Sequence, residues 1–357
     1  MKLKDVCIKG TSNIRQKDVN DSGRYPVYGA AGPVGFMNSF QYDEPYVGVV
    51  KDGAGIGRAT YLPSNSSIIG TMQALIPKKN VLPKYLYYAV SSMHLEKYYS
   101  GATIPHIYFK NYKHERFVLV SKKEQEQIIW RFSLLEKMIS NKQQQLLKLD
   151  ELIKARFVEM FGDPVINSKN LELSTLANLG MLGRGRSKHR PRNDPKLLGG
   201  KYPLIQTGEV SQSGLYIRNF SNTYSELGLK QSKLWPKDTL CITIAANIAS
   251  TSILTFNACF PDSVVGFISN EDKVKPVFLH YWFSFFQNII ESQATQVAQK
   301  NINLKVLSNL SVIHPPISLQ NEFADFVRQV DKSKVAVQKS LEETQKLYDS
   351  LMQEYFG

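Results

Sequence analysis

The chain repeats itself. The segment closing on Glu159, Phe161 and Gly162 returns 195 positions later, closing on Glu354, Phe356 and Gly357. At that offset Ile107 meets Ile302, Lys110 meets Lys305, Gln125 meets Gln320, Lys137 meets Lys332, Gln143 meets Gln338 and Leu152 meets Leu347. A gap-free offset held this long makes the chain a tandem of two similar halves. So long a period means duplicated domains, not a solenoid.

Both halves run in the same order. Strand-like runs broken by Gly, Pro and Asn come first: Tyr46–Val50 and Ser67–Pro77 in one, Thr239–Ile244 and Val264–Ser269 in the other. A proline then opens an aromatic, helix-like segment, LPKYLYYAVSSMHLEKYY from Leu82 and KPVFLHYWFSFFQNII from Lys275. A long helix closes each half, Glu124–Met160 and Leu319–Tyr355. With Phe132 at heptad position a, Ile139, Leu146, Ile153 and Met160 follow at a, and Ile128, Leu135, Lys142, Leu149 and Arg156 fall at d. The second helix keeps that register, with Val327, Lys334, Leu341, Tyr348 and Tyr355 at a, and Phe323, Val330, Val337, Thr344 and Leu351 at d. About five heptads each predict a coiled coil, weaker on the second seam, with amphipathic helices lying on the lobes as the alternative. If the two helices pair antiparallel, Gly357 returns beside Met1 and the molecule is pseudo-twofold. A helix of this length spans roughly 55 Å, close to 16 base pairs of duplex.

Composition narrows the partner. The 357 residues are 43% hydrophobic and 11% aromatic, enough for packed cores in two or three domains. A formal charge of +13 and a pI near 9.4 favour a polyanion, nucleic acid before an anionic membrane surface. The start, MKLKDVCIKG, is too charged for a secretory signal, and the apolar stretch around Phe278–Ile290 is too short and polar to span a bilayer. Cys7, Cys241 and Cys259 form no CxxC pair, so no disulfide framework or zinc site is expected, and the location expected is cytoplasmic.

The most basic stretch is Met181–Lys201, read as a loop. It carries Arg184, Arg186, Lys188, His189, Arg190, Arg192, Lys196 and Lys201 against one acid, Asp194. Arginines in such a loop suit bidentate contacts to phosphate or guanine, and the plain alternative is a solvated charge run. Gly53, Gly55 and Gly57 after a strand suggest a cofactor turn. The spacing is GxGxG, however, and the second half has Ala245, Asn247 and Ala249 there, so a turn needing only small side chains fits both copies better. Pro261-Asp262 with Glu271 and Lys273 superficially fits a PD…(D/E)xK nuclease pattern that the first half lacks. His314-Pro315-Pro316 lacks the Asn or Asp of the amino-methyltransferase motif. A platform with basic lobes and no catalytic centre is the expectation.

The motifs together resemble the specificity (S) subunits of type I restriction-modification enzymes. The resemblance covers essentially the whole chain: RYPVYGAAG and KYPLIQTGEV near the start of each lobe, VVKDGAGIG in the first, GRGRSKHRPRND, ATQVAQKNINLKVL and PPISLQNEF in the second, and the closing KARFVEMFGDP and LYDSLMQEYFG. The first half departs from the pattern at Thr103–Phe109, TIPHIYF where the second half has QKNINL, and at Val120-Ser121, where the prolines are missing. The layout implied is α+β: a target-recognition domain at 1–120, a central helical region at 121–162, a second target-recognition domain at 163–316 and a distal helical region at 317–357. Each lobe would read one half of a bipartite DNA target, while the coiled coil sets the spacer. The resemblance implies two docked modification subunits that methylate adenine with S-adenosylmethionine. Motor-nuclease subunits using ATP and Mg would serve restriction, and this chain would be non-catalytic and hold no cofactor. The DNA-contacting candidates are Arg184, Arg186, Lys188, His189, Arg190, Arg192, Lys201 and Gln206 in lobe two, with Arg24, Tyr28, Lys51 and Arg58 in lobe one. The competing readings are an adenine methyltransferase-like enzyme with a degenerate cofactor motif and a non-enzymatic nucleic-acid-binding scaffold.

Overall fold

A computed structural model describes residues 1–101, 105–189, 191–192, 194–245, 248–285 and 302–357. Arg190, Asn247, the start of the Thr103–Phe109 stretch and most of ATQVAQKNINLKVL lie outside the described residues. The chain forms two compact units, Met1–Gln144 with Val337–Gly357, and Gln145–Ala336, so both boundaries fall inside the long helices.

The first unit runs α1 (Leu3–Val6), β1 (Cys7–Gly10), β2 (Tyr25–Gly29), β3 (Gly32–Met37), β4 (Tyr46–Val50), β5 (Ala59–Leu62), β6 (Ser67–Ile68), β7 (Met72–Pro77), α2 (Pro83–Ser91), α3 (Phe109–Tyr112) and the first part of α4 (Lys122–Phe161). Its main sheet is antiparallel with the order β1-β7-β4-β5, and a smaller sheet β3-β2-β6 pairs β2 and β6 in parallel. All five residues of β4 are buried, which explains its unbroken apolar run. Pro83 starts α2 at a position where the missing N–H is no loss, and Tyr85, Leu86 and Tyr88 fill the core. The run Ser67–Pro77, expected to be one strand, is two: the chain leaves the small sheet at Ile68, turns through Gly70, whose N–H bonds the Ile14 carbonyl, and enters the main sheet at Met72.

The second unit runs from the end of α4 through β8 (Leu173–Thr175), α5 (Leu176–Leu179), β9 (Gly180–Arg184), β10 (Leu198–Leu204), α6 (Thr207–Gln212), β11 (Tyr216–Ile217), β12 (Asn222–Tyr224), α7 (Glu226–Lys230) and β13 (Leu234–Trp235). It continues through β14 (Leu240–Thr243), β15 (Thr251–Leu254), β16 (Ala258–Cys259), β17 (Val264–Ser269), α8 (Pro276–Phe283), α9 (Leu304–Ser308), β18 (Ser311–Ile313) and α10 (Ile317–Phe356), the last shared with the first unit. The order β11-β15-β14-β17-β9 reproduces the first unit's main sheet with one strand added, and β10 pairs β16 in parallel as β2 pairs β6. Individual hydrogen bonds are duplicated. Leu3 N–H donates to Glu115 O and Leu176 N–H to Leu310 O, both at 3.0 Å; Lys78 N–H donates to Val6 O and Asn270 N–H to Leu179 O, both at 2.9 Å. Gln125 accepts from Leu82 N–H at 2.8 Å, and Gln320 from Lys275 N–H at 2.9 Å. These pairs extend the repeat through regions where the residues themselves have diverged.

Of the basic stretch Met181–Lys201, the described residues between β9 and the 3-10 turn Pro195–Leu197 form a loop. Antiparallel pairing to β17 makes the start of the stretch the strand β9, and its end belongs to β10.

Both long helices have 40 residues and start earlier than the heptad pattern indicates. Ser121 caps α4: the Glu124 carboxylate accepts from Ser121 N–H at 2.9 Å and from its hydroxyl at 2.7 Å, a capping box that sets the first turn at Lys122. In the first unit Arg131 bonds the Tyr355 hydroxyl, while Lys142 Nζ donates to Thr344 Oγ1 at 2.6 Å and Ser340 O at 3.1 Å. In the second, Lys334 Nζ lies 2.6 Å from Asp150 Oδ1 and Arg156 donates to Glu322 Oε1 at 2.9 Å. Within each unit rising numbers on α4 meet falling numbers on α10, so the segments run antiparallel. Every a and d position is buried or half-buried. The polar seam residues Lys142 and Thr344 satisfy each other. The signature phenylalanines anchor the cores: Phe161 sits 4.9 Å from Phe278 in the second unit, and Phe356 sits 5.2 Å from Tyr85 in the first. Among the described residues no helix is long and apolar enough to cross a membrane.

Candidate nucleic-acid interface

In both units, strand direction gathers basic residues at one end of the main sheet. That end holds the carboxyl ends of β1 and β4 and the amino ends of β5 and β7; in the second unit the equivalents are β9, β14, β15 and β17. Lys51 follows β4, and Arg58 precedes β5 and donates to the Ala30 carbonyl in the β2–β3 hairpin. Arg184 ends β9, and Asp262 lies just before β17.

Asp262 organises the second unit's site. Arg184 Nε donates to its backbone carbonyl, and Arg192 lies 2.5 Å from its carboxylate. The backbone around them is pinned as well. Gly185 N–H donates to Val264 O, Arg186 N–H to Phe260 O, and the Arg186 carbonyl accepts from the Ser232 hydroxyl. His189 N–H donates to Gln231 Oε1 at 3.0 Å, and its ring nitrogen Nε2 lies 3.0 Å from Asp194. The Lys196 N–H and then His189 hold the Asp194 carboxyl below the usual carboxylate range. Behind Arg192 opens a cleft of about 250 Å³ lined by Ser187, Gln206, Thr207, Asn222 and Tyr224 among others. Donors, acceptors and an arginine around such a cleft suit contact with a polar anionic edge.

The candidates therefore divide. Arg184, Arg186, Arg192 and Gln206 share one region of the second unit, with Lys188 and His189 on the exposed loop beside it; Arg190 lies outside the described residues. Lys201 is bound at 3.1 Å to Glu226, which also accepts from the Tyr202 hydroxyl, so it ties β10 to α7 and does not line the cleft. In the first unit Lys51 and Arg58 share the sheet end. Tyr28 is half-buried against the core cluster of Tyr46 and Ile68, and Arg24 sits at the opposite end of β2, over the Tyr25 ring. The single acid visible near the basic stretch is also incomplete: Asp262 and Glu226 reach it from far along the chain. Sequence reasoning missed one pair altogether, His106 Nδ1 at 2.7 Å from Asp52 Oδ1, because 54 positions separate the two.

The enzymatic patterns take structural forms. Gly53 N–H bonds Pro105 O, and Gly57 N–H bonds Val50 O at 2.8 Å, so those two glycine N–H groups already have backbone acceptors in place of a phosphate. Asp262 and Glu271 flank the six residues of β17, about 20 Å apart at 3.3 Å per residue, too far to share a metal. Among the described residues no group of three or more His, Cys, Asp or Glu is placed to hold one.

Comparison with known proteins gives a consistent picture. The family described as the type I restriction modification DNA specificity domain matches residues 1–151 and again 168–346. A putative type I restriction enzyme MjaX specificity subunit from Methanocaldococcus jannaschii is 23% identical over 295 residues, covering 78% of this chain and 68% of that protein. A type I restriction-modification S subunit from M. genitalium has a similar fold, with a TM-score of 0.65 at 16% identity over 100% of this chain and 95% of its own. A chain from a structure titled for complex assembly and conformational transition of the type I R-M system gives 0.58 at 15% identity, over 100% and 96%.

Proposed function

Because the chain belongs to the type I restriction modification DNA specificity family, we propose that each unit reads one half of a bipartite duplex target through the basic end of its main sheet. The observation that carries this reading is the duplicated placement: Lys51 and Arg58 in one unit and Arg184, Arg186 and Arg192 in the other stand at equivalent sheet ends. The paired helices then set the number of unread bases and dock two modification subunits. Those subunits supply S-adenosylmethionine chemistry at adenine, and motor-nuclease subunits supply ATP- and Mg-dependent cleavage. The chain itself positions DNA and transfers no group. The glycine turn, with the Gly53 and Gly57 N–H groups bonded to the Pro105 and Val50 carbonyls, supports that division of labour.

The test is duplex binding by the full chain across a salt series. Arg186→Ala and Arg58→Ala should each weaken binding. Loss of a phosphate contact makes the log–log salt slope shallower by about 0.9, whereas loss of a base contact costs about 1–3 kcal/mol at one position of the target. Unchanged affinity and slope in both variants would sink the reading, as would methyl transfer to DNA by the purified chain alone.

A further inference from the structure

The end of the first unit's main sheet opposite Lys51 and Arg58 is also strongly basic. Lys2 bridges to Arg116, Lys4 N–H donates to Lys113 O at 3.0 Å, and Lys78 Nζ donates to the carbonyls of Lys4 and Asp5. Lys79 is exposed beside them. His114 sits in the same cluster, its imidazole held below the usual range by lost solvent and by the charges of Lys4, Lys2 and Lys113. Acids are fewer at this end: Asp43 and Glu44 precede β4, the Asp5 carboxylate accepts from Lys2 N–H, Glu115 is engaged by Lys97 and Tyr98, and Glu124 caps its helix.

The duplicated hydrogen bonds show what stands at the same places in the second unit. Thr175 replaces Lys2, Ala177 replaces Lys4, Asn270 replaces Lys78, Ser308 replaces Lys113 and Ser311 replaces Arg116, while Glu271 follows Asn270 where Lys79 follows Lys78. The first turn of α4 adds Lys122 and Lys123, against Ile317 and Ser318 on α10. The backbone is preserved and most of the charge is not, although Lys273 Nζ donates to Asn178 O, at 3.0 Å, as Lys78 Nζ does to Asp5 O. Folding therefore does not require Lys2, Lys4, Lys79 or Arg116, because the second unit makes the same turns without basic residues at those places.

We propose that this face binds the phosphate backbone of duplex DNA flanking the target, without sequence preference and once per molecule. The proposal rests on the DNA-reading assignment above. Lysine supplies seven of these basic groups with Lys122 and Lys123 included, against one arginine. Compact, mobile ammonium groups suit a diffuse polyanion better than the bidentate geometry of a particular carboxylate. The six residues of β7 hold the two sheet ends about 20 Å apart at 3.3 Å per residue, so base pairs read at one end cannot place their own phosphates on the other. DNA beyond the read bases reaches this face by bending around the unit through about 40–90°, an elastic cost that the added phosphate contacts offset.

The experiment uses the full chain carrying Lys2→Gln, Lys4→Gln, Lys79→Gln and Arg116→Gln, with Lys78 retained for its two carbonyl bonds. A long random-sequence duplex and poly-glutamate serve as probes, and thermal melting confirms that the variant folds. Duplex binding should weaken, with a salt slope shallower by roughly three to four, at about 0.9 per lost phosphate contact. Unchanged duplex binding overturns the proposal, and so does a loss confined to poly-glutamate, which would mark an acidic protein partner. Arg186→Ala is measured alongside. If the DNA-reading assignment itself fails, both proteins bind duplex as the parent does; if only this inference fails, Arg186→Ala alone is weakened.

Discussion

Gly57 shows how one residue type can answer two different demands. Its φ is +83°, and a Cβ there would lie 2.4 Å from Glu96 N and 2.9 Å from Leu95 C, both backbone atoms. Gly53 has a φ of +86° with nothing within 4 Å. Alanine at Gly53 should cost only the left-handed backbone preference, about 1 kcal/mol, while Gly57→Ala should cost clearly more, about 2 kcal/mol or above, since the Leu95–Glu96 backbone must move. Denaturant unfolding of the two variants decides it, and equal costs would refute the steric account. Ala249, at φ +63° in the second unit's corresponding turn, shows that the conformation alone tolerates a methyl group. The need for small residues was legible in the two sequences side by side. The reason for it, one glycine pressed against a distant backbone, was not.

At the scale of elements, the heptad pattern identified both helices and their register, yet it misplaced the strongest contacts. Phe157 lies outside the a and d positions but is fully buried, 4.9 Å from Phe161, 5.5 Å from Phe278 and 5.4 Å from Phe323. Arg156, at d, is half-buried and pairs with Glu322 instead. Near its end the helix packs on a globular core as well as on its partner helix, so the apolar stripe widens beyond a two-helix seam. Phe157→Ala should destabilise the second unit by about 3–5 kcal/mol. Leu147→Ala, at a residue 64% exposed, should change stability by less than about 0.5 kcal/mol. Chemical denaturation of both variants is the check, and a mild effect of Phe157→Ala would show that the aromatic cluster is dispensable.

For the whole molecule, the two 40-residue helices carry the proposed spacing function. Each is about 60 Å long at 1.5 Å per residue, and removing one heptad from each takes away about 10 Å, close to three base pairs at roughly 3.4 Å. The shortened chain, reconstituted with modification subunits, should methylate sites whose half-sequences are unchanged and whose gap is smaller, or lose activity where the duplex groove no longer faces both units. Mapping methylated adenines across a genome reads this directly. Methylation of the original sites at the original spacing would show that the helices do not set the gap.

The tandem repeat, the paired helices and the family were determined by the sequence itself, because they rest on periodic or repeated local patterns: heptads, a fixed offset and terminal phenylalanines that recur. Strands buried on both faces were legible for the same reason, as at Tyr46–Val50. Only the tertiary structure decided which charges meet. Asp262 reaches Arg192 across 70 positions, Lys201 spends its charge on Glu226, and Lys2 comes beside Arg116 through an edge contact that no short-range pattern encodes. Backbone pairing carries residues far apart in the chain to one sheet end, and charge acts through space, so a basic stretch read in one dimension reveals neither its neutralising partners nor a second face assembled from scattered lysines.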